Sequence, residues 1–241
     1  MPVIDPQQNR LLAALPASAQ ARLAPRMKRV EMPLARVLYE SGETLPYVYF
    51  PTDAIISLLY VMANGSTADT SVVGNDGVIG IALFMGGEST PSRAIVQSAG
   101  HAYRLPAEDL KKEFRRHEEL HTLVLRYTQS LITQMAQTAV CNRHHSIDQQ
   151  LCRWLLLSLD RLPNSHLIMT QELIASMLGV RREGVTEAAG KLQRLGVIEY
   201  ARGKITVLDR PRLEKLSCEC YAVVKAETDR LFPDIRSARG H

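Results

Sequence analysis

Arg181-Arg182-Glu183, followed by Thr186 and Glu187, gather two guanidiniums, two carboxylates and a hydroxyl into a short stretch of chain. An arginine donates paired hydrogen bonds that match the O6 and N7 acceptors of guanine, and a glutamate accepts from the cytosine amino group. Such a set can read base edges in a major groove if one helix face carries it outward. Further on, Arg202-Gly203-Lys204 supplies two cations suited to phosphates, which add salt-dependent affinity without sequence preference. Taken one at a time, these residues also suit a plain solvated surface.

The surrounding pattern decides between the two readings. Thr170 can cap a helix whose first turn holds Glu172, favourable against the helix dipole, and it joins the set expected to face DNA. Leu173, Ile174, Met177 and Leu178 give that helix an inner face, and Gly179 ends it. A second helix starts near Arg181 with Val185, Ala189 and Leu192 inward, which leaves Arg182, Glu183, Thr186 and Glu187 outward. Two short helices joined through a glycine turn make a helix-turn-helix. Val197 to Tyr200, Arg202-Gly203-Lys204 and Ile205 to Leu208 then read as strand, turn and strand, a wing. A solvated surface accounts for each residue singly but not for helix, glycine turn, helix and basic hairpin in that order. Just upstream, Ser146 to Leu162 reads as a helix ended by Pro163-Asn164, with Ile147, Leu151, Trp154, Leu155 and Leu159 buried.

The N-terminal half has another texture. Leu11, Leu12, Leu15 and Leu23 recur at helical spacing, broken by Pro16. From Met27 to Leu105, β-prone runs at 36–39, 47–50, 54–62, 68–73, 78–84 and 93–96 alternate with turn signals such as Asn64-Gly65 and Gly74-Asn75-Asp76-Gly77. Eight of the fourteen glycines lie from Gly42 to Gly100, which suits an antiparallel barrel or roll. From Glu108 to about Thr138 there is no Gly or Pro, and Leu120, Val124, Tyr127, Leu131 and Met135 follow a spacing of three and four. One long helix is expected there. At about thirty residues it outreaches a small domain, so its apolar stripe is assigned to a homodimer interface, the alternative being that it packs only on its own barrel. The fold class expected is α+β: a β-roll with an N-terminal helix over 1–106, a long dimerisation helix over 107–140 and a winged helix-turn-helix with a C-terminal helical tail over 141–241.

Bulk composition agrees. With 46% hydrophobic and 22% charged residues the chain has globular proportions. From Cys141 to Lys215 there are twelve Lys or Arg against eight Asp or Glu, so this segment holds the net charge of +4. The first residues show no basic stretch leading into an apolar run, and the longest apolar run, Ala54 to Ala63, is about half a membrane span. A cytoplasmic location and no membrane partner are expected. Cys141, Cys152, Cys218 and Cys220 form no disulfide framework. Cys141, His144 and His145 beside a helix end, with Cys218 and Cys220, offer metal donors, but a lone C-x-C is a weak pattern; they are read as packing or surface residues, and no metal is expected. The histidines sit near no nucleophile or carboxylate constellation, and no phosphate loop appears, so an enzyme is not expected.

Across nearly its whole length the chain resembles the Crp/Fnr family of bacterial transcription regulators. The sharpest match is Gly179-Val-Arg-Arg-Glu-Gly-Val-Thr-Glu187, similar to the family's recognition-helix pattern of Gly, two residues, then Arg-Glu-x-Val. The resemblance implies that Arg182 and Glu183 contact bases of double-stranded DNA at a palindrome, with RNA polymerase as a further partner and either activation or repression as the outcome. It also makes the β-roll cyclic-nucleotide-binding-like. In place of the family's Gly-Glu pair, however, stands Ile79-Gly80, and the Arg-Ser pair falls near Ser92-Arg93 in reversed order. Ile79, Gly80, Ser92 and Arg93 therefore mark an effector pocket lacking the ribose-binding carboxylate, which argues against a cyclic nucleotide. No cofactor is expected and no effector is identified. The alternative is a ligand-binding interaction module whose winged helix contacts protein.

Overall fold

The computed structural model describes residues 5–162 and 166–233. Pro163-Asn164, expected to end a helix, and the last residues of the 141–241 segment lie outside the described residues.

The chain enters through two short helices, α1 (Arg10–Ala13) and α2 (Ala17–Leu23). Asn9 starts α1: its side-chain oxygen accepts from the amides of Leu11 and Leu12, while its amide nitrogen donates to the carbonyls of Pro51 and Gly77. One buried side chain thus ties the entry helix to the β-roll. The roll comprises β1 (Lys28–Met32), β2 (Val37–Tyr39), β3 (Tyr47–Pro51), β4 (Ile55–Val61), β5 (Thr67–Val73), β6 (Arg93–Ser98) and β7 (Gly100–Pro106). They form two antiparallel sheets, ordered β1-β7-β3 and β2-β6-β4-β5. Val48, Phe50, Ile56, Val96, Tyr103 and Leu105 fill the space between them.

The run at 78–84, expected as a strand, makes one bridge between Ile79 and Tyr49 and then a single 3-10 turn, Ile81–Leu83. Gly80 lies at φ +110°, outside the extended region, and diverts the chain. β1 and β7, which pair with each other, do not stand out in the sequence because β1 is mostly exposed and polar.

The long helix also departs from expectation. The chain forms α3 (Ala107–Phe114), a break, and α4 (Glu119–His144). No Gly or Pro marks the break; His117 turns it at φ +57°. Arg22, bridging Glu113 and Glu118, clamps the two sides from α2. The assigned dimer stripe is corrected as well. Leu120, Val124, Tyr127 and Leu131 are 1–5% exposed, and Met135 is half-buried, all against the chain's own β-roll. Gly77 leaves room for this packing, since a Cβ there would stand 2.5 Å from the Tyr127 hydroxyl. The exposed apolar residues of α4 are instead Leu125, Ile132 and Val140, at 46%, 56% and 46%.

A second core follows. α5 (Ile147–Leu159) opens with a reciprocal cap between Ser146 and Gln149. It packs with α6 (Gln171–Leu178), α7 (Arg182–Arg194), α8 (Arg210–Leu216) and a small sheet ordered β8-β10-β9: β8 (His166–Ile168), β10 (Lys204–Val207), β9 (Ile198–Ala201). The last helix, α9 (Glu219–Leu231), returns to α4 through Ser130 with Thr228 at 3.0 Å and Gln129 donating to Glu227 at 3.1 Å. Its Tyr221 and Val224 belong to the second core, and Leu231 to the first. Among the described residues no helix is long and apolar enough to cross a membrane.

Candidate nucleic-acid interface

Thr170 caps α6 by accepting from the Leu173 amide at 3.2 Å. Gly179 ends α6 in the left-handed region at φ +66°, which costs glycine nothing and turns the chain for the next helix. From Arg182 onward α7 buries Val185, Ala188, Ala189 and Leu192. The opposite face carries Arg182, Glu183, Thr186 and Glu187, all exposed, with Arg181 exposed at the N-cap. The side chains expected to read bases therefore stand together on the first turns of one helix.

These side chains are lightly held. Arg182 faces Glu172 at 3.9 Å with both largely exposed, an arrangement worth little energy and easily exchanged for a ligand. Thr186 donates from its hydroxyl toward Gln171, 2.7 Å away, and lies 3.0 Å from the Arg182 carbonyl. Gln171 was not singled out from sequence; its adjacency to the cap residue Thr170 is the signal that could have found it. The wing follows at once. Arg202 and Gly203, at φ +51° and +78°, make a tight two-residue turn between β9 and β10. Arg202 and Lys204 are both exposed there, and Tyr200 braces the hairpin by donating to the Met169 carbonyl at 2.7 Å. The module also rests on the β-roll. Thr67 at the start of β5 meets Ser176 of α6, hydroxyl to hydroxyl, at 2.6 Å.

The residues assigned to the effector pocket divide. A cavity of about 270 Å³ lies between the roll and α4, lined by Gly80 and Ser92 together with Tyr39, Leu58, Tyr60 and Met135. Ile79 is instead buried in the roll's core, and the Arg93 guanidinium pairs with Glu40 at 2.6 Å. Among the described residues no charged side chain lines this cavity.

The scattered donors, read from sequence as packing or surface residues, converge in part. Cys141, His145, Cys218 and Cys220 bring their sulfur and ring-nitrogen atoms within 4.8 Å of one another, while His144 is exposed and outside the group. Their separation of more than seventy residues hides this convergence in the sequence.

A β-roll, a long helix and an exposed winged helix-turn-helix together define a transcription regulator with a DNA-binding head. A Crp-like helix-turn-helix domain model matches residues 149–216, and a cyclic nucleotide-binding domain model matches residues 29–117. The two together take in well over half of the chain, in that family's order, and the chain belongs to the Crp/Fnr family. No curated protein matches it. Among solved structures it is similar to FixK2 from Bradyrhizobium japonicum, with a TM-score of 0.67 and 16% identity over 80% of this chain and 98% of that one. It is also similar to a CRP-family transcriptional regulator from Thermus thermophilus, with a TM-score of 0.64 and 19% identity over 79% and 96%. A CRP/FNR-family regulator of the same organism gives a TM-score of 0.59 and 22% identity over 79% and 98%. At these identities the likeness establishes the fold.

Proposed function

We propose that this chain is a cytoplasmic, homodimeric, sequence-specific regulator that binds palindromic double-stranded DNA and acts on transcription together with RNA polymerase. The observation that carries the reading is the outward first turn of α7. Arg182 and Glu183 are exposed there over a helix whose other face is fully buried. In this role they contact base edges, Thr170, Arg181, Thr186 and Glu187 complete the groove-facing surface, and Arg202 and Lys204 hold phosphates.

A palindrome requires two copies of α7 about one DNA turn apart. The exposed stripe of Leu125, Ile132, Ala136 and Val140 on α4 supports a helix-to-helix dimer on the face away from the roll. The cavity beside Tyr39 and Tyr60 supports a sensing role for the roll. Lacking a cationic lining, it supports an uncharged effector over a cyclic phosphate, which needs a paired guanidinium. Leu58 and Tyr60 of β4 line the cavity, β4 pairs with β5, and Thr67 of β5 meets Ser176, which supports a route from such a ligand to α6 by biasing one of two arrangements.

The test is a DNA-binding titration on selected and random duplexes at two salt concentrations. Tight binding to the selected site with a steep salt slope is expected. Equal binding to both duplexes, or none with any ligand, rejects the reading in favour of a protein-binding module.

A further inference from the structure

Cys141 and His145 lie one turn apart at the end of α4, and Cys218 and Cys220 flank the start of α9. The Cys141 and Cys218 sulfurs are 3.5 Å apart, and the Cys220 sulfur is 3.6 Å from His145 Nδ1. A tetrahedral zinc with bonds of about 2.3 Å to sulfur sets its ligand sulfurs about 3.8 Å apart, so the spacing already fits. Atoms this close leave room for one ion and not for an iron–sulfur core. The ring orientation agrees. With Nδ1 toward the thiols, His145 Nε2 lies 3.3 Å from the Glu219 carboxylate, the arrangement that orients and polarises metal-bound histidines. The three cysteines are 0–5% exposed and form a small cluster of their own, apart from both hydrophobic cores. Buried Arg153 donates to Thr138 but, among the described residues, leaves its Nε without a partner. It acts electrostatically on the Cys141 and Cys220 sulfurs.

We propose that Cys141, His145, Cys218 and Cys220 bind one zinc ion. Three thiols lose their protons on binding and the imidazole binds neutral, so the centre carries a single negative charge and gives Arg153 a counter-ion. With four protein ligands it is a closed, structural site. It pins the end of α4 to the start of α9, beside Ser146, the cap of α5, and so fixes the joint between the long helix and the DNA-binding head.

The assignment does not depend on DNA binding, and metal analysis of the full chain tests it. Protein purified under reducing conditions is expected to hold one zinc per chain. Chelated and reloaded with Co(II), it is expected to show thiolate-to-cobalt charge transfer and tetrahedral ligand-field bands that saturate at one equivalent. Cys220→Ser loses the stoichiometric metal and His144→Ala keeps it. Should Cys220→Ser fail to fold, the cobalt titration of the wild-type chain decides. Substoichiometric metal with no charge-transfer band overturns the proposal. So does a Cys141–Cys218 disulfide that persists in protein prepared under reducing conditions, or metal retained in Cys220→Ser.

Discussion

Two amphipathic helices, α7 and α4, show a similar apolar periodicity and bury it against different things. On α7 the inward residues pack into the core of the same module, and the outward face is free for a ligand. On α4 the regular stripe of Leu120, Val124, Tyr127 and Leu131 also packs inward, on the β-roll, although its length suggests a second chain. Periodicity identifies a buried face; it carries no information about what covers that face.

The largest test of this contrast is Leu131→Ala. A side chain buried in its own chain leaves a cavity when truncated, and a loss of about 2–5 kcal/mol is expected. Chemical denaturation at several protein concentrations checks it; a loss that vanishes at high concentration would return Leu131 to a dimer interface.

A second test probes the polar side of the roll. Burial pushes the Asp69 carboxyl up to about 7, against hydrogen bonds from Ser57 and the Ser71 amide and the fields of Arg153 and Arg161. Ser57 has one proton for two acceptors, Asp69 and Gln97, and a protonated Asp69 resolves that conflict. Between the ordinary aspartate range and about 7, the folded chain therefore binds the proton that the unfolded chain has lost. Stability from this group falls as pH rises through that window and levels off above it. Asp69→Asn is expected to remove this slope and to stabilise the chain at pH 8 by up to about 4 kcal/mol. Unfolding midpoints of both proteins from pH 5 to 8 decide; parallel curves reject the account.

On α7, Arg182→Ala is expected to cost about 1–3 kcal/mol of discrimination at one base pair. Binding to single-base variants of a selected site measures it, and equal weakening on every duplex would make Arg182 a phosphate contact. The smallest effect on folding belongs to Ile132→Glu, on the exposed face of α4. Stability is expected to change by less than about 0.5 kcal/mol, while sedimentation shifts toward monomer. A dimer unaffected by the charge would place the interface elsewhere.

Much of the reading head was legible in sequence because its signals are local: Thr170 caps, Gly179 turns, and four buried apolar residues per helix state which way each side points. The β-roll was less so. Gly80 turned an apparent strand into a 3-10 turn, and His117 broke a helix with no Gly or Pro to announce it. β8 leaves no signal in the sequence because three residues make too short a pattern.

Local chemistry in the chain determined the order of elements, the caps and turns, and the outward face of α7, since each depends on residues within one or two helical turns. Tertiary structure alone decided that α4 lies on its own roll, that Arg93 is taken up by Glu40 beside an uncharged cavity, and that Cys141 and His145 meet Cys218 and Cys220. Each of these is a contact between residues distant in sequence, made where packing of the whole chain brings their elements together, and no spacing along the chain encodes that distance.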